Sequence, residues 1–182
     1  MIDKRISKVL YTQSDLERVI KELANWVDET YKNSKNLVLV GLLKGSIPFL
    51  AQLIKDIKTD HIIDFMTLSS YHGAMDSSGS VKIVMDLAYD IKGKDVLIVE
   101  DIIDSGITIE KVVNLLKNKK PNSLKVLTLL DKPEGRKNDF HPDKVGFVAP
   151  NEFLVGFGLD VKEKMRNIPY IGIFKKECID DL

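Results

Sequence analysis

Val96–Thr108 reads VLIVEDIIDSGIT, and this stretch decides the fold. Val96, Leu97, Ile98 and Val99 form an uninterrupted apolar run, the pattern of a strand covered on both faces of a parallel sheet. Glu100 and Asp101 end the run. After two further apolar residues, Asp104-Ser105-Gly106-Ile107-Thr108 leads to Ile109, Val112, Val113 and Leu116, which share one helical face. A buried strand passing through a small-residue turn into a helix is the repeating unit of an α/β protein. In an open parallel sheet, ligands bind beyond the carboxyl ends of the strands, where this reading puts Glu100 and Asp101.

The same pattern recurs on either side. Leu16, Val19, Ile20, Leu23 and Val27 define a helix from about Ser14 to Tyr31, with Ser14 and Glu17 read as a capping box. Asn36–Leu43 is a second buried strand, broken by Lys44-Gly45-Ser46, and Pro48 sits in the first turn of the helix that follows. His61–Tyr71 and Val81–Asp86 read as strands joined by HGAMDSSGS, a connection rich in Gly and Ser and expected to be mobile. The strand containing Val96 is expected over Asp95–Glu100, and its helix stops at Lys119-Lys120-Pro121. Leu124–Leu130 is another buried strand, and Val145–Val148, Phe153–Phe157 and Tyr170–Phe174 are short strand candidates. Alternating strands and helices predict a mainly parallel central sheet flanked by helices.

Composition narrows the function. The 182 residues suit one domain, long enough to bury roughly 70% of the surface of the unfolded chain. Lys+Arg and Asp+Glu both number 27, so no broad basic face for nucleic acid or membrane is indicated. The single cysteine, Cys178, excludes an internal disulfide and fits a reducing compartment. MIDKRISK is charged rather than apolar, and no apolar run approaches the ~20 residues that span a bilayer, so a cytoplasmic protein is expected. His61, His72 and His141 have no metal-ligand spacing and read as structural.

The acidic turn suggests a ligand of mixed chemistry. A helix N-terminus with small residues and free N–H groups suits a phosphate. Adjacent carboxylates suit a vicinal diol, or a Mg²⁺ held on it. A sugar phosphate satisfies both. Asp104, placed where it would be repelled by that phosphate, is then either a helix cap or a general base near the reacting carbon. GxxxxGK[ST] and GxGxxG are both absent, which removes the main support for nucleotide-triphosphate and dinucleotide readings.

VLIVEDIIDSGIT resembles the signature of the type I phosphoribosyltransferases, which bind phosphoribosyl diphosphate (PRPP): apolar strand, two acids, two apolar residues, then Asp-[Ser/Thr]-Gly-x-Thr. Over nearly the whole chain the resemblance is to the hypoxanthine(-guanine) phosphoribosyltransferases of bacterial type. It implies the type I fold, a single domain with a core over about residues 36–131 and a small hood from about 1–12 and 132–182. It implies that Glu100, Asp101, Asp104, Ser105, Gly106, Ile107 and Thr108 hold the ribose and its 5′-phosphate, with Asp104 catalytic. Leu43-Lys44-Gly45-Ser46 matches the family's pyrophosphate loop, where a non-proline cis peptide would fall between Leu43 and Lys44. Lys44, Gly45 and Arg166 would meet pyrophosphate, Arg166 through paired N–H···O bonds.

Ser70 and Tyr71 open what would be the mobile catalytic loop, whose closure excludes water. Lys132 aligns with a lysine that donates to the purine 6-oxo group; having donors and no acceptor, it disfavours the 6-amino group of adenine. Read alone, Lys132 would be a surface lysine. Phe153 would stack on the purine, Leu154 and Asp160 would meet its edge, and Glu100, Asp101 and Asp160 would place Mg²⁺. The implied reaction is Mg²⁺-dependent phosphoribosyl transfer from PRPP to N9 of hypoxanthine or guanine, by a homodimer or homotetramer acting on small molecules, without nucleic acid or membrane. Three rivals stand beside it: a different 6-oxopurine preference involving xanthine, a PRPP-binding regulator of transcription that acts through RNA, and an inactive structural paralogue, which would not need all of Lys44, Glu100, Asp101, Asp104 and Arg166. Ile107 fills the variable position of the phosphate loop, and Asp131 and Pro133 beside Lys132 differ in type from the residues of the vertebrate enzymes.

Overall fold

The computed structural model describes residues 2–70 and 81–181. Tyr71, His72 and the Gly/Ser-rich connection therefore lie outside the described residues. A six-stranded sheet in the order β4-β3-β2-β5-β6-β7 is built from β2 (Leu37–Leu43), β3 (His61–Ser70), β4 (Val81–Met85), β5 (Asp95–Ile103), β6 (Ser123–Asp131) and β7 (Lys144–Val148). All neighbours are parallel except β3 and β4. The sheet thus takes in β7, beyond residue 131. A smaller antiparallel sheet, β1-β9-β8, joins β1 (Ile6–Tyr11), β9 (Ile171–Phe174) and β8 (Leu154–Val155), bringing the two ends of the chain together as a hood.

The continuous apolar runs are explained by the sheet's two covered faces. Alternate strand residues point opposite ways. Leu37, Leu39, Leu97, Val99, Leu127 and Leu129 pack against α1 (Gln13–Tyr31) and α2 (Ser46–Leu53), through Leu16, Ile20, Phe49 and Leu50. Val38, Val40, Val96, Ile98 and Val126 pack on the opposite face against α3 (Ile107–Asn118), through Ile109, Val112 and Leu116. Each such side chain contributes about 1.5–3 kcal/mol on burial. Helix α2, which follows β2, and α3, which follows β5, therefore lie on opposite faces. The adjacent strands β2 and β5 part at their carboxyl ends, and the crevice between them is the topological switch point of the sheet. The hood is tied to the sheet where Tyr11 stacks on Phe147 with ring centroids 4.1 Å apart, and its hydroxyl donates to the Val148 carbonyl at 3.1 Å.

Three expectations are corrected. The capping box of α1 is Thr12 with Asp15, not Ser14 with Glu17. TQSD and SDLE overlap in the sequence, and Thr12 and Asp15 bond reciprocally, Asp15 N to Thr12 Oγ1 at 3.2 Å and Thr12 N to Asp15 Oδ2 at 3.0 Å. Strand β5 continues through the acids to Ile103, because Ile102 and Ile103 still pair with Leu130 and Asp131. The strand expected over Phe153–Phe157 is only Leu154–Val155, since Gly156, Phe157 and Gly158 turn to φ of 97°, 47° and 100°.

Candidate active site

Two concavities open at the switch point. One, of about 190 Å³, is lined by Glu100, Ile103, Asp104, Ser105, Gly106 and Thr108. The other, of about 220 Å³, is lined by Asp101, Lys132, Glu152, Phe153, Leu154 and Asp160. Ile102 and Asp104 line both, so Asp104 stands on the wall between them. A larger concavity of about 580 Å³ lies in the hood around Arg5 and Tyr170, away from these acids. The first lies at the start of α3. Gly106, at φ 79°, turns the chain from β5 into α3, whose first-turn N–H groups have no acceptor within the helix.

Because β5 remains a strand through the acids, Glu100 and Asp101 point to different sides of the pleat, one into each concavity. Glu100 as a residue is partly buried, but its Oε2 is sealed from solvent with no hydrogen-bond partner. Burial, with the Asp101 charge adding to it, pushes the Glu100 carboxyl well above its ordinary range. Burial likewise pushes Asp101 up to about 6, against the pull of the Ile102 N–H, 2.9 Å away, and the positive charge of Arg166. Among the described residues three buried side-chain polar atoms lack a partner, and two of them, Glu100 Oε2 and Arg166 Nε, are here. Such groups cluster where a ligand completes them.

The pyrophosphate-loop candidate follows β2 through a cis peptide between Leu43 and Lys44. Its Gly45 is packed so closely that a Cβ there would lie 1.7 Å from Asp101 Oδ2. From the other side Gly158 approaches, its own added Cβ falling 2.0 Å from the Gly45 carbonyl oxygen. Arg166 Nη1 donates to the Gly158 carbonyl at 2.7 Å, and Arg166 Nη2 lies 2.9 Å from Asp160 Oδ1. Lys44, Gly45, Asp101, Asp160 and Arg166 are thus brought to one place from three separate segments.

Lys132 is buried, not a surface lysine: 7% of the residue is exposed, and its Nζ lies 2.9 Å from Asp104 Oδ2. Phe153 is 42% exposed at the second concavity and makes a T-shaped contact with Phe174, ring centroids 5.9 Å apart. Leu154 is buried at the same wall. Ser70 ends β3; Tyr71 falls outside the described residues.

The carboxylates expected to hold a metal are only partly gathered. Asp160 shares a concavity with Asp101, close enough for its charge to raise the Asp101 carboxyl, yet its oxygens are engaged by Arg166 and by the Glu163 N–H at 2.9 Å. No group of three or more His, Cys, Asp or Glu side chains forms a metal cage among the described residues. Asp101, lining the second concavity beside Asp160, nevertheless suits Mg²⁺, which keeps several waters and binds through one or two carboxylates plus substrate oxygens.

Sequence reasoning missed three residues. Arg136 donates from Nε to the Asp104 carbonyl at 3.1 Å and pairs with the Asp131 carboxylate, fixing the turn that carries Asp104. Glu152 lines the second concavity, and Glu163 contacts both Lys44 and Arg166. None falls in a periodic or motif position, so only the folded backbone brings them in.

Comparison with known proteins agrees with this geometry. A family model described as phosphoribosyl transferase domain matches residues 7–162. A hypoxanthine-guanine phosphoribosyltransferase of Streptococcus pyogenes is 48% identical over 177 residues, 97% of this chain and 98% of that protein. One of Lactococcus lactis is 49% identical over 97% of this chain and 95% of that protein. The crystal structure of a hypoxanthine phosphoribosyltransferase from Staphylococcus aureus superposes with a TM-score of 0.90 at 47% identity, covering 95% of this chain and 94% of that one. No described helix is long and apolar enough to cross a membrane. With its switch-point crevice and these full-length similarities, the chain belongs to the phosphoribosyltransferase family.

Proposed function

We propose that this enzyme transfers the 5-phosphoribosyl group of PRPP to N9 of hypoxanthine or guanine, releasing pyrophosphate and IMP or GMP. The observation that carries this reading is the buried Lys132, whose ammonium sits beside Asp104 on the wall shared by the two concavities. A 6-oxopurine in the second concavity would accept from Lys132, stack on Phe153 and present N7 to Asp104. Adenine would set its 6-amino group against a cation with no acceptor, leaving both buried and unsatisfied.

The steps follow from these roles. The first turn of α3, with Ser105 and Thr108, seats the 5′-phosphate. Glu100 and Asp101 orient the ribose and would hold Mg²⁺, which supplies charge neutralisation at the diphosphate when bound. Asp160 would help Asp101 hold the metal, and it pairs with Arg166 directly. As N9 attacks C1′, the C1′–O bond breaks with its electron pair going to pyrophosphate, where Lys44 and Arg166 meet the developing charge. The purine proton leaves from N7 to Asp104, which the 6-oxo group frees by competing for Lys132. Cytoplasmic location and assembly as a homodimer or homotetramer belong to the same reading; no observation favours the RNA-acting regulator.

The test is direct. The purified protein, with Mg²⁺ and PRPP, is offered hypoxanthine, guanine, xanthine and adenine, and nucleotide formation is followed. Turnover is expected with the first two and none with adenine. Nucleotide from no base at all, or from adenine foremost, overturns the proposal.

A further inference from the structure

Lys44 and Arg166, the two cations assigned above to pyrophosphate, already share an anion. Glu163 Oε2 lies 2.9 Å from Lys44 Nζ and 3.1 Å from Arg166 Nη2. One oxygen bridging a lysine and an arginine is the arrangement a phosphate oxygen would adopt. The backbone is shaped to present it. Lys162, Glu163 and Met165 all stand at positive φ, at 48°, 64° and 71°, a conformation that disfavours side chains and persists only where surrounding contacts enforce it. The Glu163 N–H is anchored on Asp160 Oδ2 at 2.9 Å, and hydrogen bonds from Lys44 and Arg166 hold the Glu163 carboxyl below its ordinary range.

We infer that Glu163 is a resident counter-anion: it holds Lys44 and Arg166 together in the ligand-free enzyme and is displaced by the diphosphate of PRPP or by pyrophosphate. This rests on the assignment of Lys44 and Arg166 to the diphosphate. Two consequences follow. The cations are prepositioned although their charges repel. And every diphosphate must compete with a carboxylate already in place, which weakens its binding and hastens departure of the product. The side chains of Lys44 and Glu163 are well exposed, at 61% and 64%, so the competition is modest. Exposed pairs of this kind shift an equilibrium by roughly 1.5- to 5-fold each.

The experiment uses Glu163→Gln in the full chain, an exposed and nearly isosteric change, with product inhibition by pyrophosphate measured at fixed free Mg²⁺. The inhibition constant for pyrophosphate and KM for PRPP are expected to fall about three- to tenfold, with KM for hypoxanthine unchanged. Unchanged constants would make the contact an ordinary surface ion pair, and weaker pyrophosphate binding would make Glu163 a support of the loop; either result overturns the inference. Lys44→Ala and Arg166→Ala test the assignment beneath it. If neither weakens pyrophosphate inhibition, the diphosphate site is elsewhere and the inference falls with it. If both do while Glu163→Gln changes nothing, the assignment stands and only the inference fails.

Discussion

Lys132 and Asp104 form an unequal ion pair: their charged atoms are 2.9 Å apart, but the lysine side chain is 8% exposed and the aspartate 53%. Removing one partner is therefore not equivalent to removing the other. Asp104→Asn leaves a buried ammonium without its counter-charge, whereas Lys132→Met leaves a carboxylate that water can reach. Asp104→Asn should lower stability by about 1–2 kcal/mol, discounted for the exposure of Asp104, and Lys132→Met by less than about 1 kcal/mol. In activity the order changes in kind. Asp104→Asn should lower kcat by roughly 10²-fold or more, while Lys132→Met should chiefly raise KM for the purine and erode discrimination against adenine. Thermal unfolding and steady-state kinetics on both variants check this. Full kcat in Asp104→Asn would remove Asp104 from proton transfer.

Glu100 and Asp101 make the ligand-free site a source of instability with a defined pH dependence. Asp101 titrates at about 6 when folded against an ordinary 3.8, so between those values the folded protein holds a proton that the unfolded chain has lost. Stability falls as pH rises through that window, and the loss is complete above about 6. Glu100, also raised, carries the same sign further upward. Asp101→Asn should therefore stabilise the ligand-free protein at pH 7.5 by about 1–3 kcal/mol, with little gain at pH 4.5, and Glu100→Gln should act in the same direction, while turnover is lost in both. Asp95 supplies the contrast. It is partly buried at the other end of β5, but bonds from Ser34, Ser123 and Asn122 outweigh that burial and lower its carboxyl. Its contribution is present above 3.8 and lost as pH falls below it. Asp95→Ala should cost about 1–3 kcal/mol at pH 7.5 and leave kcat intact. Melting temperatures across pH for the three variants distinguish the two signs.

What could be read in advance, and what could not, divides along a physical line. The strands β2, β5 and β6 were legible because burial on two faces demands an uninterrupted apolar run. The site acids were legible because Glu100-Asp101 and Asp104-Ser105-Gly106 sit at fixed offsets from such a run. Lys132 was legible only through its resemblance to a family; by composition nothing separates it from an exposed lysine. β1 was missed because Ile6–Tyr11 pairs only with β9, across most of the chain, and three of its six residues, Ser7, Lys8 and Tyr11, are charged, hydroxylated or aromatic, so that no clean alternation marks it. Arg136 and Glu163 were missed for a related reason. Their partners, the Asp104 carbonyl and the Lys44 ammonium, are 32 and 119 residues away, and no local periodicity encodes such a meeting.

The closest backbone approach at the site yields the sharpest comparison. Gly158 has φ of 100°, and a Cβ there would fall 2.0 Å from the Gly45 carbonyl oxygen. Gly93 has φ of 70° and nothing within 4 Å of an added Cβ. Both positions resist a side chain on backbone grounds, at about 1 kcal/mol each, but only Gly158 must also push a neighbouring backbone segment aside. That segment carries Lys44, and Arg166 is bonded to Gly158 in both directions, through its Nη1 and its carbonyl oxygen. Gly93→Ala should lower stability by about 1 kcal/mol and leave the kinetics unchanged. Gly158→Ala should cost about 2–4 kcal/mol and raise KM for PRPP roughly tenfold or more, with a smaller effect on KM for hypoxanthine, because a displacement of less than an ångström misplaces both cations. Equal kinetic constants in the two variants would show that the contact between residues 45 and 158 supports the fold without shaping the diphosphate site.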